Sequence, residues 1–181
     1  VYAKQVLKGG AGTLGMLMAA LGIGSFAATV FLAATRKTRG LTYLVPVSAL
    51  IFSFSVIGIS FCGELWMAMI MLVIAGFGVM VNMAESNIVL QMITDDDKRG
   101  RVMSFYTMSF LGVAPIGSFL AGSIASGIGV IAAIVAGGVG CLVASLFFMK
   151  KVPGLQGMVE SSMKKQMSMD VLGKVENSPG L

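Results

Sequence analysis

Residues 95–117 read DDDKRGRVMSFYTMSFLGVAPIG: six charged side chains crowd the first seven positions, and none follows in the next sixteen. Acids and bases set directly against an apolar run form the pattern of a polar connection followed by a membrane-crossing helix, and the rest of the chain repeats it. Charge is absent from 9–35, 40–63, 65–84 and 102–149, and the last of these gaps is divided by SGIG at 126–129. Five uncharged runs result, each long enough at about 1.5 Å per residue to cross a hydrocarbon core of about 30 Å. The spacing predicts an all-α polytopic bundle with helices at 11–34, 42–62, 65–86, 101–125 and 129–149, followed by a tail over 153–181.

Composition points the same way. Hydrophobic residues make up 56% of the chain and charged residues 12%, about half the charged fraction of a soluble domain. The runs are continuously apolar rather than alternating, which excludes barrel strands. No amphipathic segment remains that would cover five such helices in water.

Lys and Arg set the expected orientation. Lys4 and Lys8 precede the first helix; Arg36, Lys37 and Arg39 follow it; Lys98, Arg99 and Arg101 lie between the third and fourth; Lys150 and Lys151 follow the fifth. The connections at 62–65 and 126–128 carry no base. The positive-inside rule therefore predicts a cytoplasmic C-terminus and residue 1 outside, which suggests a further segment before Val1. Trp66 at an outer end, with Tyr43 and Tyr106 near inner ends, fits interfacial anchoring.

Three stretches resemble the major facilitator superfamily. RGRVMSFYTMSFLGVAPIGSFLAGSIA at 99–125 is similar to its eleventh helix and the preceding loop, most of all in the drug and siderophore exporter branch. VYAKQVLKGGAGTLGMLMAALGIGSFAATVFLAA at 1–34 is similar to the eighth helix of that branch with its external loop, and FLAATRKTRGL at 31–41 echoes a cytoplasmic signature. Arg36 and Arg39 match the bases of that signature, whereas Phe31, Thr35 and Thr38 stand where it has Gly, Asp and Gly. The resemblance covers about residues 1–152 and implies helices eight to twelve of a twelve-helix transporter. It further implies small-molecule efflux by proton antiport across a bacterial inner membrane, with Arg36, Arg39, Asp95, Arg99 and Arg101 as a cytoplasmic gating latch. The partners so implied are the lipid bilayer, a small-molecule substrate, and the missing N-terminal helices or another membrane protein. A second reading is a truncated accessory subunit that packs against a larger membrane complex without transporting.

Polar groups inside the runs nominate a site. Asn82 and Glu85 lie three apart on one helix face, and Thr107, Met108 and Ser109 on the next helix are candidates to line the same cavity. Glu85 has two roles open to it: a proton carrier or binder of a cationic substrate, or a salt bridge to Arg99, Arg101 or Arg39. Pro115, with Gly112 and Gly117 around it, is expected to bend its helix, as alternating access would use and a static bundle would also tolerate. Small residues recur four apart at Gly15 and Ala19, Ala20–Gly24–Ala28, Ser118–Gly122–Ser126, and Ala136 and Gly140, a spacing that lets helices approach closely in lipid.

Enzyme chemistry finds no foothold. The chain has no His, and its two Cys, at 62 and 141, lack ligand spacing, so neither a metal nor a cofactor is expected. GAGTLG at 10–15 spells a dinucleotide fingerprint but leads straight into an apolar span without the required strand and acid. SSMK at 161–164 matches S-x-x-K by letters only. Bases are too sparse for nucleic acid. In the tail, Leu155, Val159, Met163 and Met167 recur every four residues beside Lys164 and Lys165, as in an interfacial helix, while the Ser- and Gly-containing end suits disorder equally.

Overall fold

The computed structural model of the chain describes residues 9–35, 41–94 and 97–150. They form five helices: α1 Ala11–Ala34, α2 Leu41–Phe61, α3 Leu65–Ile93, α4 Arg99–Ile128 and α5 Val130–Lys150. All five are long and apolar enough to span a membrane. Among the described residues there is no strand. The tail over 153–181 lies outside the described residues.

The helix limits follow from local chemistry. Helix α1 starts after Gly9 and Gly10, with Leu14 N–H donating to Gly10 O, and closes with Thr35 N–H on the carbonyls of Phe31 and Leu32. Between α2 and α3 the chain turns in three residues, and Glu64 caps α3 through its backbone carbonyl alone, which accepts from Ala68 N–H. Helix α3 runs seven residues beyond the expected limit of 86. The extra two turns, N-I-V-L-Q-M-I, are still mostly apolar, and Gln91 donates to Asn87 one turn back, so the helix runs on almost to the acidic cluster. Helices α4 and α5 are parted by Gly129 alone, whose φ of 100° and ψ of 160° lie in a region open essentially only to glycine.

Helix α3 is the centre of the bundle, packed along its length by α1 on one side and α2 on the other. Glycine makes both approaches possible. A Cβ on Gly24 would collide with Val73 O, and one on Gly76 with Leu21 O, so α1 and α3 cross backbone to backbone. The Ser25 hydroxyl sits in this crossing between Leu21 O and Gly76 O, and Phe31 tilts against Phe77 with ring centroids 5.7 Å apart. Across the other face a Cβ on Gly78 would come within 3.0 Å of Phe52 N and Ser48 O, and Gly58 faces Met71. These pairings run α2 antiparallel to α3. Helix α5 packs antiparallel against α2, where Gly138 meets Ile57 and Ser145 meets Pro46.

Side-chain size is distributed in the reverse of a water-soluble protein. Buried positions are small, as at Ala20, Ala28, Ala68 and Ala75, whereas Phe26, Phe61 and Trp66 point outward, Phe61 with 81% of its surface exposed. In a bilayer the outward aromatics meet lipid, and helices associate through close packing of small residues rather than by expelling water. Most hydroxyls bond carbonyls of their own helices, Ser53 on Ala49 O and Ser55 on Ile51 O among them, whereas Ser145 reaches across to α2 and the buried Ser60 hydroxyl has no partner among the described residues.

Helix α4 stands apart. None of its residues is buried, and it touches α3 only at the turn that joins them. It continues unbroken through Pro115.

Candidate functional site

Polar chemistry concentrates toward the end of the bundle that carries Lys98, Arg99, Arg101 and Lys150. There Asn82 on α3 donates from Nδ2 to Val45 O on α2 at 2.8 Å, and Ser145 on α5 donates to the adjacent Pro46 O at 2.9 Å. Two neighbouring carbonyls of α2 thus accept from two different helices. Pro46 is almost wholly buried, as is Ser48, whose hydroxyl shares Val45 O with Asn82.

Around this junction lies a half-open cavity of about 370 Å³ between α2, α3 and α5. Helix α2 contributes Val45, Pro46, Ala49 and Phe52; α5 contributes Cys141, Ala144, Ser145 and Phe148 at helical spacing. Val79 and Asn82 close it from α3, and no charged group lines it.

Glu85, one turn beyond Asn82, is 4% exposed, and its Oε2 has no hydrogen-bond partner among the described residues. It lies two turns inside the end of α3 rather than at the helix edge. Beyond it a polar ladder crosses the α3–α4 turn: Arg99 donates from Nη2 to Gln91 Oε1 at 3.0 Å, and Gln91 donates on to Asn87 Oδ1. Arg101 and Asp97 are exposed. Arg36, Arg39 and Asp95 lie outside the described residues.

The predicted residues of α4 sit elsewhere. Thr107 and Met108 line a shallow groove along α4 with Met103, Ser104 and Leu111, and Thr107 spends its proton on Met103 O. Ser109 and Pro115 are exposed. The structure brings Asn82 and Glu85 together on α3 but gathers Thr107 and Met108 into a separate groove. Sequence reasoning did not nominate Ser145; its one signal is a hydroxyl in an otherwise apolar run, one turn after Cys141.

Among the described residues no cluster of His, Cys, Asp and Glu is placed to hold a metal ion. What the arrangement offers instead is one buried carboxylate, a carboxamide and a hydroxyl fixed to backbone carbonyls, and a small apolar cavity.

Five apolar spans with small residues inward, large residues outward and hydroxyls tied to backbone define an integral α-helical membrane protein. The sequence matches the family described as transmembrane secretion effector, of the major facilitator superfamily, over residues 1–180, and the chain belongs to that family of transporters. No curated protein and no solved structure matches it.

Proposed function

We propose that this chain supplies the last five helices of a secondary active transporter that exports a small molecule by proton antiport. In this reading it sits in a bacterial inner membrane with its C-terminus in the cytoplasm. The observation that carries the reading is Glu85, a buried carboxylate with an unpartnered oxygen inside a membrane span. An ionisable group at such depth is costly and marks ion or proton pathways. Its cycle is simple in outline: protonated, the side chain is neutral and tolerates the span; deprotonated, it attracts a cation. A proton and a cationic substrate would therefore compete for one oxygen pair, which is the elementary requirement of antiport.

Asn82, one turn away, is held by Val45 O and orients the approach. The Arg99–Gln91–Asn87 ladder, with Arg36, Arg39, Asp95 and Arg101, is assigned to the cytoplasmic latch, and the α4 face bearing Thr107, Met108 and Ser109 to the opposite wall of the transport path. Pro115, inside the unbroken α4, is assigned as the place where alternating access would bend the helix.

The test uses everted membrane vesicles containing the protein, with the lipophilic cation ethidium as probe and an imposed pH gradient. Gradient-driven uptake by the unmodified protein and its loss in Glu85→Gln is the expected result; equal uptake by the variant overturns the role of Glu85. Helix α4, none of whose residues is buried, also suits the second reading, an accessory subunit seated on a larger complex. Native mass spectrometry from mild detergent separates the two: an assembly containing about seven further facilitator-type helices supports transport, and an unrelated membrane complex supports the accessory role.

A further inference from the structure

The cavity between α2, α3 and α5 shares only Asn82 with the path just assigned, and its chemistry is specific. At about 370 Å³ it falls in the size range of small-ligand sites. It exists because Ala49 and Ala144 stand where larger residues would close the gap between α2 and α5. Its walls are apolar except for Asn82 and Ser145, and both have already committed a donor to an α2 carbonyl. A carboxamide that bonds through one N–H keeps its oxygen and its second N–H, and a hydroxyl whose proton is spent presents lone pairs. The cavity therefore offers mainly acceptors, with one amide N–H and no charge on its walls. An anion or a cation would lose its solvation there without a counter-charge.

We infer that this cavity is a binding site for a neutral lipophile bearing one hydrogen-bond donor, such as an aromatic amine, a phenol or a long-chain alcohol. The ligand enters from the bilayer side, where Cys141, Ala144 and Phe148 are exposed. Its apolar body lies against Phe52 and Phe148, and its donor meets Asn82 Oδ1. This assignment shares Asn82 with the transport reading but uses neither Glu85 nor α4, and its readout at Cys141 does not depend on transport.

Cys141 on the cavity wall is a built-in reporter, and the buried Cys62 is an internal control. The experiment takes the full chain in mild detergent and follows alkylation of each thiol by N-ethylmaleimide, using intact mass and peptide mapping, with and without N-phenyl-1-naphthylamine. That probe is a neutral aromatic amine with one N–H. Saturable slowing of Cys141 alkylation by about fivefold or more, with probe fluorescence saturating over the same range, is expected. Ala144→Phe and, from the opposite wall, Ala49→Phe should each weaken probe binding by about tenfold. Using both guards against one variant failing to fold, which size-exclusion profiles report. 8-Anilinonaphthalene-1-sulfonate, an anion of similar bulk, should not protect. Protection of Cys141 that is unsaturable, unchanged by both fillings, or matched by the anion overturns the proposal. So does a tightly retained phospholipid acyl chain that excludes the probe.

Discussion

Asn82 and Ser145, on helices that do not adjoin in sequence, donate to consecutive carbonyls of α2, Val45 at 2.8 Å and Pro46 at 2.9 Å. These two bonds tie α3 and α5 to one point on α2, next to a buried proline whose ring has already removed one backbone donor from that helix. In a span where water is unavailable, a side chain that reaches a neighbouring helix's backbone fixes both distance and rotation.

Replacing Asn82 by Leu removes the α3–α2 bond while keeping bulk. Interhelical hydrogen bonds in membranes average about 0.6 kcal/mol and reach about 1.7 kcal/mol. Asn82→Leu should therefore lower unfolding free energy by about 1 kcal/mol, measured by denaturant titration in micelles. Ser145→Ala should cost a similar amount, and the double variant should approach the sum because the two donors use different carbonyls.

Glycine at the α1–α3 crossing makes a sharper contrast. A Cβ at Gly24 or Gly76 would strike backbone, whereas one at Gly22, two residues from Gly24, meets nothing within 4 Å. Gly24→Ala and Gly76→Ala should each destabilise by about 1–3 kcal/mol through forced separation of the helices. Gly22→Ala should be neutral or slightly stabilising, since alanine is the better helix former. Thermal melts of the three variants in one detergent check the order.

These two cases mark how far the sequence was readable. Five spans, and helix ends near 34, 61, 65 and 150, follow from where charge is absent, because the bilayer imposes length and apolarity on each helix independently. Among the stripes of small residues, however, Ala20–Gly24–Ala28 is buried in a crossing, while Ser118–Gly122–Ser126 on α4 faces outward. Spacing alone does not distinguish them, since it states that a close approach is possible and not which helix makes it. Glu85 was legible because a carboxylate in an apolar run is conspicuous. Ser145 was not, because serine is common in membrane helices and its importance comes from a carbonyl 99 positions away in the chain.

The one-residue join between α4 and α5 predicts a position-specific sensitivity. Gly129 adopts φ 100°, whereas Gly127, two residues earlier, is helical. Gly129→Ala should cost about 1–3 kcal/mol of backbone strain. Gly127→Ala should not destabilise. Protease susceptibility at the join, compared between the two variants in liposomes, reads the difference directly.

Orientation is testable without transport. If the basic connections face the cytoplasm, a single cysteine at Asp97 in a background lacking Cys62 and Cys141 should resist a membrane-impermeant maleimide in intact cells and react in everted vesicles. A cysteine at Gly63 should do the opposite. Both positions are exposed in the fold, so a failure to label would report sidedness and not burial. The reverse pattern would overturn the assignment built on Arg36, Arg39, Lys98, Arg99 and Arg101.

Glu85 carries the functional argument, and its replacement must be read two ways. Glu85→Gln keeps size and removes the charge, so the variant should fold at least as well as the original: a buried group with an unpartnered oxygen is traded for one without a net charge to desolvate. Gradient-driven ethidium movement should nevertheless fall by at least about tenfold, because the amide neither releases a proton nor attracts a cation. Glu85→Asp, which keeps the carboxyl on a shorter arm, should recover part of the movement. Stability unchanged with transport lost, and partial recovery by Asp, assigns the group to coupling. Loss of stability in Glu85→Gln with equal loss in Glu85→Asp would instead mean that the carboxylate holds the bundle together, and the proton-antiport reading would fall with it.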